Sequence, residues 1–237
     1  MLIDLLNQRR AVRHYSDQPI DADTVRACLE QARLAPSSFN MQLYQFVHVT
    51  DPATLQALAT ACLGQQAATT AQQMVVFVTR QDLYRERARA VLAMEEENIR
   101  RTSPPEKQEK RLAASRGYYG KLLPFMYARC FGLLGILRKT LFAPVSFFRP
   151  MYIDCSEADA RVVVHKSCAL AAQTFMLAMR EAGYDTCPLD SRRVKRILGL
   201  PRGAEINMIV SCGIRKEGRG IWGERHRLPF EDIYRRV

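Results

Sequence analysis

Arg9, Arg10 and Arg13 place three guanidinium groups within five consecutive positions, and further along Pro36-Ser37-Ser38-Phe39-Asn40-Met41-Gln42 gathers small hydroxyl and amide side chains on one short stretch. A guanidinium presents a planar fork of N–H donors that matches the oxygens of a phosphate. Hydroxyls and amides donate and accept, which suits a polyol chain or an acceptor-rich ring edge. Together the two segments fit a phosphorylated cofactor with a polar tail. A second pair of forks, Arg225 and Arg227, stands near the other end of the chain in Arg225-His226-Arg227-Leu228-Pro229.

The elements that must position these residues are readable. Asp21 or Asp23 caps a helix whose apolar positions Val25, Cys28, Leu29 and Ala32 follow the helical period, with Pro36 ending it. Tyr44 to Thr50 is β-branched and aromatic and predicts a strand. Asp51-Pro52 starts another helix, with Asp as cap and Pro at the first helical position. Met74-Val75-Val76-Phe77-Val78 is apolar on both faces, the pattern of a fully buried strand. Ser156-Glu157-Ala158-Asp159 is a capping box opening a helix to about Ala182, apolar nearly all round between Ala169 and Met179 and stopped by Gly183. Ser191 to Leu198 predicts a short basic helix and Ile206 to Ser211 a last core strand, while the tail from Gly213 has little periodicity. The expected class is α+β with a helical majority.

Composition narrows the chemistry. The chain has 237 residues and a formal net charge of +11, which favours anionic ligands. Its seven cysteines are scattered without a C-x-x-C pair, and its four histidines show no metal-ligand spacing, so neither disulfides nor a metal site are expected. The start, Met1 to Asn7, reads as an amphipathic helix rather than a signal peptide, and a cytoplasmic location is expected. Gly218-Arg219-Gly220-Ile221-Trp222-Gly223 has the G-x-G-x-x-G form, but no amphipathic helix and no suitably spaced acid follow it, which argues against a Rossmann site. No phosphate-binding G-K-[ST] loop and no G-x-S-x-G elbow is present.

The arginine segment, the Pro36–Gln42 loop and the Arg225–Pro229 element resemble those of the FMN-dependent nitroreductase family, over roughly residues 1–90 and 155–237. The resemblance implies a nitroreductase-like α+β fold, a mostly antiparallel central sheet surrounded by helices, and one domain over 1–237 with a helical insertion at about 95–152. It implies FMN held by Arg9, Arg10, Ala11, Arg13, Pro36, Ser37, Ser38, Asn40, Gln42, Arg225 and Arg227. It also places Pro188, Leu189 and Asp190, in the segment Gly183 to Ser191, against the flavin ring, with the Asp190 backbone amide near N5. Backbone donors suit that task because they are preorganised. By the same resemblance the protein is a homodimer with FMN at the subunit interface. Hydride passes from NADH or NADPH to the flavin, and electrons then pass to a nitroaromatic, a quinone or another flat electron-poor acceptor in a ping-pong cycle. No side-chain acid or base is required, and the protein supplies binding, orientation and electrostatics. Arg13 or Arg225, whichever does not hold phosphate, would stabilise the reduced flavin. Three departures stand out: Ala11 replaces a common Ser, Leu43-Tyr44 replaces a frequent Pro-Trp, and only Gln65 and Gln66 are candidates for a polar residue before the second core strand.

The middle of the chain is the least family-like. Glu95 to Arg116 is dense in both charges and broken by Ser103-Pro104-Pro105, the mark of a solvated helix-turn-helix. Residues 118–151 mix apolar runs with cations but are too short in any uncharged run to span a bilayer. Three readings are open for this insertion: a lid over the flavin that shapes the substrate pocket, extra dimer interface, or a membrane-surface patch that collects a hydrophobic substrate. Two alternatives stand beside the main functional reading. One is a specialised flavoenzyme, such as a reductive dehalogenase or flavin-consuming enzyme. The other is a non-enzymatic module binding nucleic acid or anionic lipid through Arg192-Arg193, Lys195-Arg196 and Arg235-Arg236, although no nucleic-acid motif is present and nucleic acid is not an expected partner.

Overall fold

The computed structural model describes residues 1–148, 154–191 and 193–237. A four-stranded sheet of β1 (Tyr44–Val49), β2 (Gln73–Thr79), β3 (Asp185–Leu189) and β4 (Glu205–Gly213) runs through its centre in the order β1-β2-β4-β3, every pair antiparallel. Successive side chains of a strand point to opposite faces. In β2 this sends Val75 and Phe77 into one apolar core and Met74, Val76 and Val78 into another, all fully buried. The unbroken apolar run of β2 is thus the signature of a sheet covered on both sides.

The helices are α1 (Leu2–Gln8), α2 (Ala22–Ala32), α3 (Pro52–Ala61), α4 (Gln66–Thr69), α5 (Tyr84–Thr102), α6 (Pro105–Gly117), α7 (Leu123–Tyr127), α8 (Leu133–Ser146), α9 (Glu157–Glu181), α10 (Val194–Ile197) and α11 (Phe230–Ile233). α2 and α9 pack on the Phe77 face through residues such as Val25 and Phe175, whereas α3 and α10 cover the Met74 face through Leu58 and Val194. α9 is long and apolar enough by composition to cross a membrane, but half of that stretch is buried inside the protein. Its start is fixed by reciprocal bonds: the Ser156 hydroxyl accepts from the Asp159 amide at 3.1 Å, and the Asp159 carboxylate accepts from the Ser156 amide at 3.0 Å. Asp21 and Asp51 cap α2 and α3 by accepting from the amides of Thr24 and Thr54 at 2.7 and 2.8 Å.

Two local expectations change, and one strand joins those read from the sequence. α2 ends at Ala32, so Pro36 sits in the following loop rather than at the helix end. Asp185 to Leu189, in the segment that the resemblance places against the flavin, forms a strand, and it tolerates Pro188 because it lies at the edge of the sheet. The short basic helix contracts to Val194–Ile197, and the Ser191 hydroxyl, ahead of it, donates to the Ala61 carbonyl at 2.8 Å. Arg192 lies outside the described residues, as do 149–152 of the insertion.

The middle of the chain contains the expected helix-turn-helix, α5 and α6 meeting at Ser103-Pro104. α6 then runs through a π-helical turn, Tyr118–Leu122, into α7. Arg138 of α8 is completely buried. Its guanidinium donates to the carbonyls of Phe125 at 2.6 Å, Ala128 at 2.5 Å and Cys155 at 3.3 Å, and lies 5.3 Å from the centre of the Phe125 ring. Glu157, at the start of α9, accepts from the Cys130 amide at 2.9 Å. Arg129 binds Glu205 of β4 at 2.8 Å. This middle segment is therefore fastened to the sheet and α9 at several points by charged groups.

Candidate functional site

The two arginine clusters meet because the segment after α1 is stitched to the sheet. The Val12 amide donates to the Thr186 carbonyl of β3 at 3.1 Å, and the Ser16 amide to the Ile214 carbonyl at 2.8 Å. Between them the Tyr15 hydroxyl, buried, donates to the Ser211 carbonyl at 2.9 Å. On the other side the Arg13 amide donates to the Gly220 carbonyl at 2.8 Å. Gly220 has no room for a side chain: a Cβ there would come within 2.8 Å of the Arg215 side chain and 3.0 Å of the Lys216 carbonyl. Gly223 has φ +66°, the left-handed region. The G-x-G-x-x-G form thus serves a tight tail held against residues 13–16.

These contacts bring Arg9 and Arg225, 216 positions apart, into contact, the Arg225 guanidinium donating to the Arg9 carbonyl at 2.5 Å. Arg9, Arg10, Ala11 and Arg13 line one cavity of about 400 Å³ with Arg225 and Arg227. Trp222, also on the lining, carries the Arg13 guanidinium 5.1 Å from its ring centre. Among the described residues none of the five arginines is in an ion pair. Burial, and then the charges of Arg225 and Arg227, pull Arg9 below its ordinary value. A half-buried cluster of like charges is the counterpart of an anion, and these donors fit a phosphate monoester.

Not every arginine is equally available. Arg225 also donates to the carbonyls of Leu6 at 2.8 Å and Asn7 at 3.2 Å, so it closes the C-terminal end of α1. Arg10 donates to the Gly223 carbonyl at 2.8 Å. Arg227 donates to the His226 carbonyl at 2.7 Å, so among the described residues Arg9 and Arg13 are the guanidiniums on the cavity wall without a carbonyl partner. Cys187 of β3 lies within the electrostatic reach of both Arg13 and Arg9, but Pro188, Leu189 and Asp190, which follow it, do not line the cavity. Leu189 is buried, while Pro188 and Asp190 are exposed.

The loop from Pro36 to Gln42 lies elsewhere. Phe39, Asn40 and Gln42 all have positive φ, at 55°, 54° and 46°. Such backbone strain in residues with side chains persists only where the surroundings enforce it. The Ser37 hydroxyl accepts from the Gln42 amide at 3.2 Å, the Gln42 side-chain amide donates to the Asn40 side-chain oxygen at 3.0 Å, and Ser167 of α9 accepts from the Ser38 amide at 3.2 Å. Ser38 and Phe39 face a second cavity of about 470 Å³, walled by Tyr118, Met126, Phe142 and Val163. The Phe39 ring meets Tyr118 and Tyr127 edge-on at 5.9 and 6.5 Å.

Gln65 and Gln66 are exposed at the start of α4 and line neither cavity. The polar residues before and at the start of β2 are Gln72 and Gln73, whose side-chain amides donate to the carbonyls of Ser16 and Ile20 at 3.1 and 2.8 Å. Sequence reading also passed over Trp222, for which its place between two glycines and two arginine-rich stretches was the available signal.

With this geometry in place, comparison with known proteins is decisive. Residues 6–214 match the sequence profile of the nitroreductase family, a span that includes the insertion. The chain belongs to the nitroreductase family. It is thereby an FMN-dependent oxidoreductase, as the resemblance implied. Among relatives, the NADH dehydrogenase of Thermus thermophilus is 29% identical over 230 residues, covering 95% of this chain and 91% of the relative. A nitroreductase family protein of Streptococcus pneumoniae has the same fold at TM-score 0.68 and 23% identity, each chain covering 100% of the other. A structure from Exiguobacterium sibiricum, solved in complex with FMN, matches at TM-score 0.69 and 19% identity, covering 100% of this chain and 97% of its own.

Proposed function

We propose that this nitroreductase is a cytoplasmic homodimer that uses NADH or NADPH to reduce nitroaromatics, quinones or similar flat, electron-poor acceptors in a ping-pong cycle. The observation that carries the reading is the cavity where Arg9, Arg10, Arg13 and Arg227 converge, its wall carrying one acid, Glu224, that pairs with none of them among the described residues. FMN bound there supplies two-electron chemistry, accepting a hydride from a reduced nicotinamide and returning electrons to a second substrate. Arg9 takes the phosphate, and Arg225, saturated by carbonyls, holds the wall behind it. Arg13, stacked on Trp222, offers the positive charge that stabilises an anionic reduced ring. The Asp190 backbone amide at the end of β3 is the donor toward the ring.

Ser37, Ser38, Asn40 and Gln42 complete the site from a partner subunit. This assignment is supported by the separation of that loop from the arginine cavity within one chain, Ser38 facing the second cavity instead. The relative named as an NADH dehydrogenase supports a nicotinamide donor. The test is the visible spectrum of the purified protein, the mass of its released chromophore, and bleaching by NADH and NADPH followed by reoxidation with menadione or nitrofurazone. Flavin bands with the FMN mass and turnover are expected. A colourless protein that refuses added FMN overturns the proposal.

A further inference from the structure

α8 is built inside out for a protein in water. Its buried side carries Gly135 and the fully buried Arg138. Its outer side carries Leu133, Ile136, Leu137 and Leu141, between 46% and 64% exposed, and the chain then continues into Phe147 and Phe148, 86% and 88% exposed. These positions recur at helical spacing, so the leucines form one stripe. Isolated exposed apolar residues are ordinary, but a continuous stripe marks an interaction surface.

Charge selects the occupant. From Lys110 to Ile153 the sequence has no Asp or Glu. Of its cations Arg138 is buried and Arg116 and Arg129 are paired with Glu96 and Glu205, while Lys110, Arg111, Lys121 and Lys139 are exposed and in no ion pair among the described residues. Lys139 is exposed on α8 itself. A second copy docked through the same stripe would oppose a helix that carries Lys139 and no acid with an identical helix. An apolar stripe flanked by cations fits the interface of an anionic bilayer, where leucine and phenylalanine side chains enter the acyl boundary and lysines meet the headgroups.

We propose that α8 docks this protein onto anionic lipid surfaces. Phe142, on the inner side of the same helix, lines the 470 Å³ apolar cavity next to Phe39. Taken with the oxidoreductase reading, on which this further step rests, the dock gives that cavity access to lipophilic acceptors dissolved in the bilayer, such as quinones with apolar tails.

The test uses purified, flavin-loaded protein in flotation with phosphatidylcholine vesicles, with and without phosphatidylglycerol. Binding is expected to the anionic vesicles only, to weaken with salt, and to fall at least about tenfold in Leu137→Glu/Leu141→Glu. That variant keeps its bound flavin and its rate with a water-soluble quinone, and loses rate with a long-chain quinone carried in the vesicles. Failure of the wild type to float with anionic vesicles overturns the proposal, as does flotation that the double variant leaves unchanged. A concentration-dependent oligomer abolished by the double variant, without vesicle binding, assigns the stripe to a second copy and also overturns it. If the variant does not fold, the wild-type contrast between anionic and neutral vesicles decides alone. Vesicle binding by a protein without turnover leaves the dock standing and removes the oxidoreductase reading instead.

Discussion

Arg9 and Arg138 are both guanidiniums pulled below their ordinary value chiefly by burial, and they behave in opposite ways. Arg138 is surrounded by acceptors, the carbonyls of Phe125, Ala128 and Cys155, and it pins α7, α8 and the approach to α9 together. Arg9 is surrounded by more cations, Arg225, Arg227 and Arg10. The first is a fastener that donates to carbonyls of its own chain through both terminal nitrogens, and the second is, in the proposed function, a receptor for a phosphate from outside. Burial of a charge says nothing about its role until its partners are counted.

The contrast can be broken in order of expected effect. Arg138→Met leaves three buried carbonyls without donors, and should lower stability by about 3–5 kcal/mol, read by thermal unfolding, with proteolysis appearing within residues 118–148. If instead Arg138→Met unfolds like wild type, the fastener half of the comparison fails. A second fastener depends on pH. Glu205 is held down at about 2 by Arg129, Arg161 and His165 against the opposing cost of its burial. Its folded-state value lies below its unfolded one, so the stabilisation is full above about pH 4.5 and is lost as pH falls toward 2. Discounted for solvent around its partly exposed partners, that contribution is on the order of 1 to 2 kcal/mol at neutral pH, and Glu205→Gln should flatten stability against pH across that window.

Arg9→Ala should act the other way round: the apo protein is as stable as wild type or slightly more so, while FMN affinity measured by calorimetry drops about 10- to 100-fold. An apo protein clearly destabilised by Arg9→Ala would make Arg9 a fastener too. Gly220→Ala sharpens the point, since its Cβ collides with Arg215 and Lys216 and displaces the tail that carries Arg225 and Arg227. A loss of FMN affinity of about three- to tenfold is expected, smaller than for Arg9→Ala, with secondary structure by circular dichroism intact.

How much of this was legible from residues alone varied with the range of the interaction. Helix starts were legible because Asp21, Asp51 and the Ser156–Asp159 box act on their own helices within a few residues. The all-apolar β2 announced its two-sided burial. β3 was harder, because Pro188 and the flanking Gly183 and Asp190 carry turn chemistry; its strand character comes from pairing with distant β4. The arginines were recognisable by type. That Arg225 would be committed to the carbonyls of Leu6, Asn7 and Arg9 depended on contacts 216 to 219 positions away, which no local pattern encodes. In α8 the apolar residues were evident, but not that the helix turns Arg138 inward and its leucines outward.

Trp222 is the sole tryptophan of the chain, 67% exposed, and sits on the wall of the arginine cavity. The protein therefore carries an intrinsic optical reporter at the place where its chromophore is expected, and nowhere else. Indole emission overlaps flavin absorption, so loading the cavity should quench it by energy transfer, while unfolding or docking elsewhere on the molecule would leave a different trace. Occupancy of the site can thus be followed in real time in the unlabelled, unmutated protein.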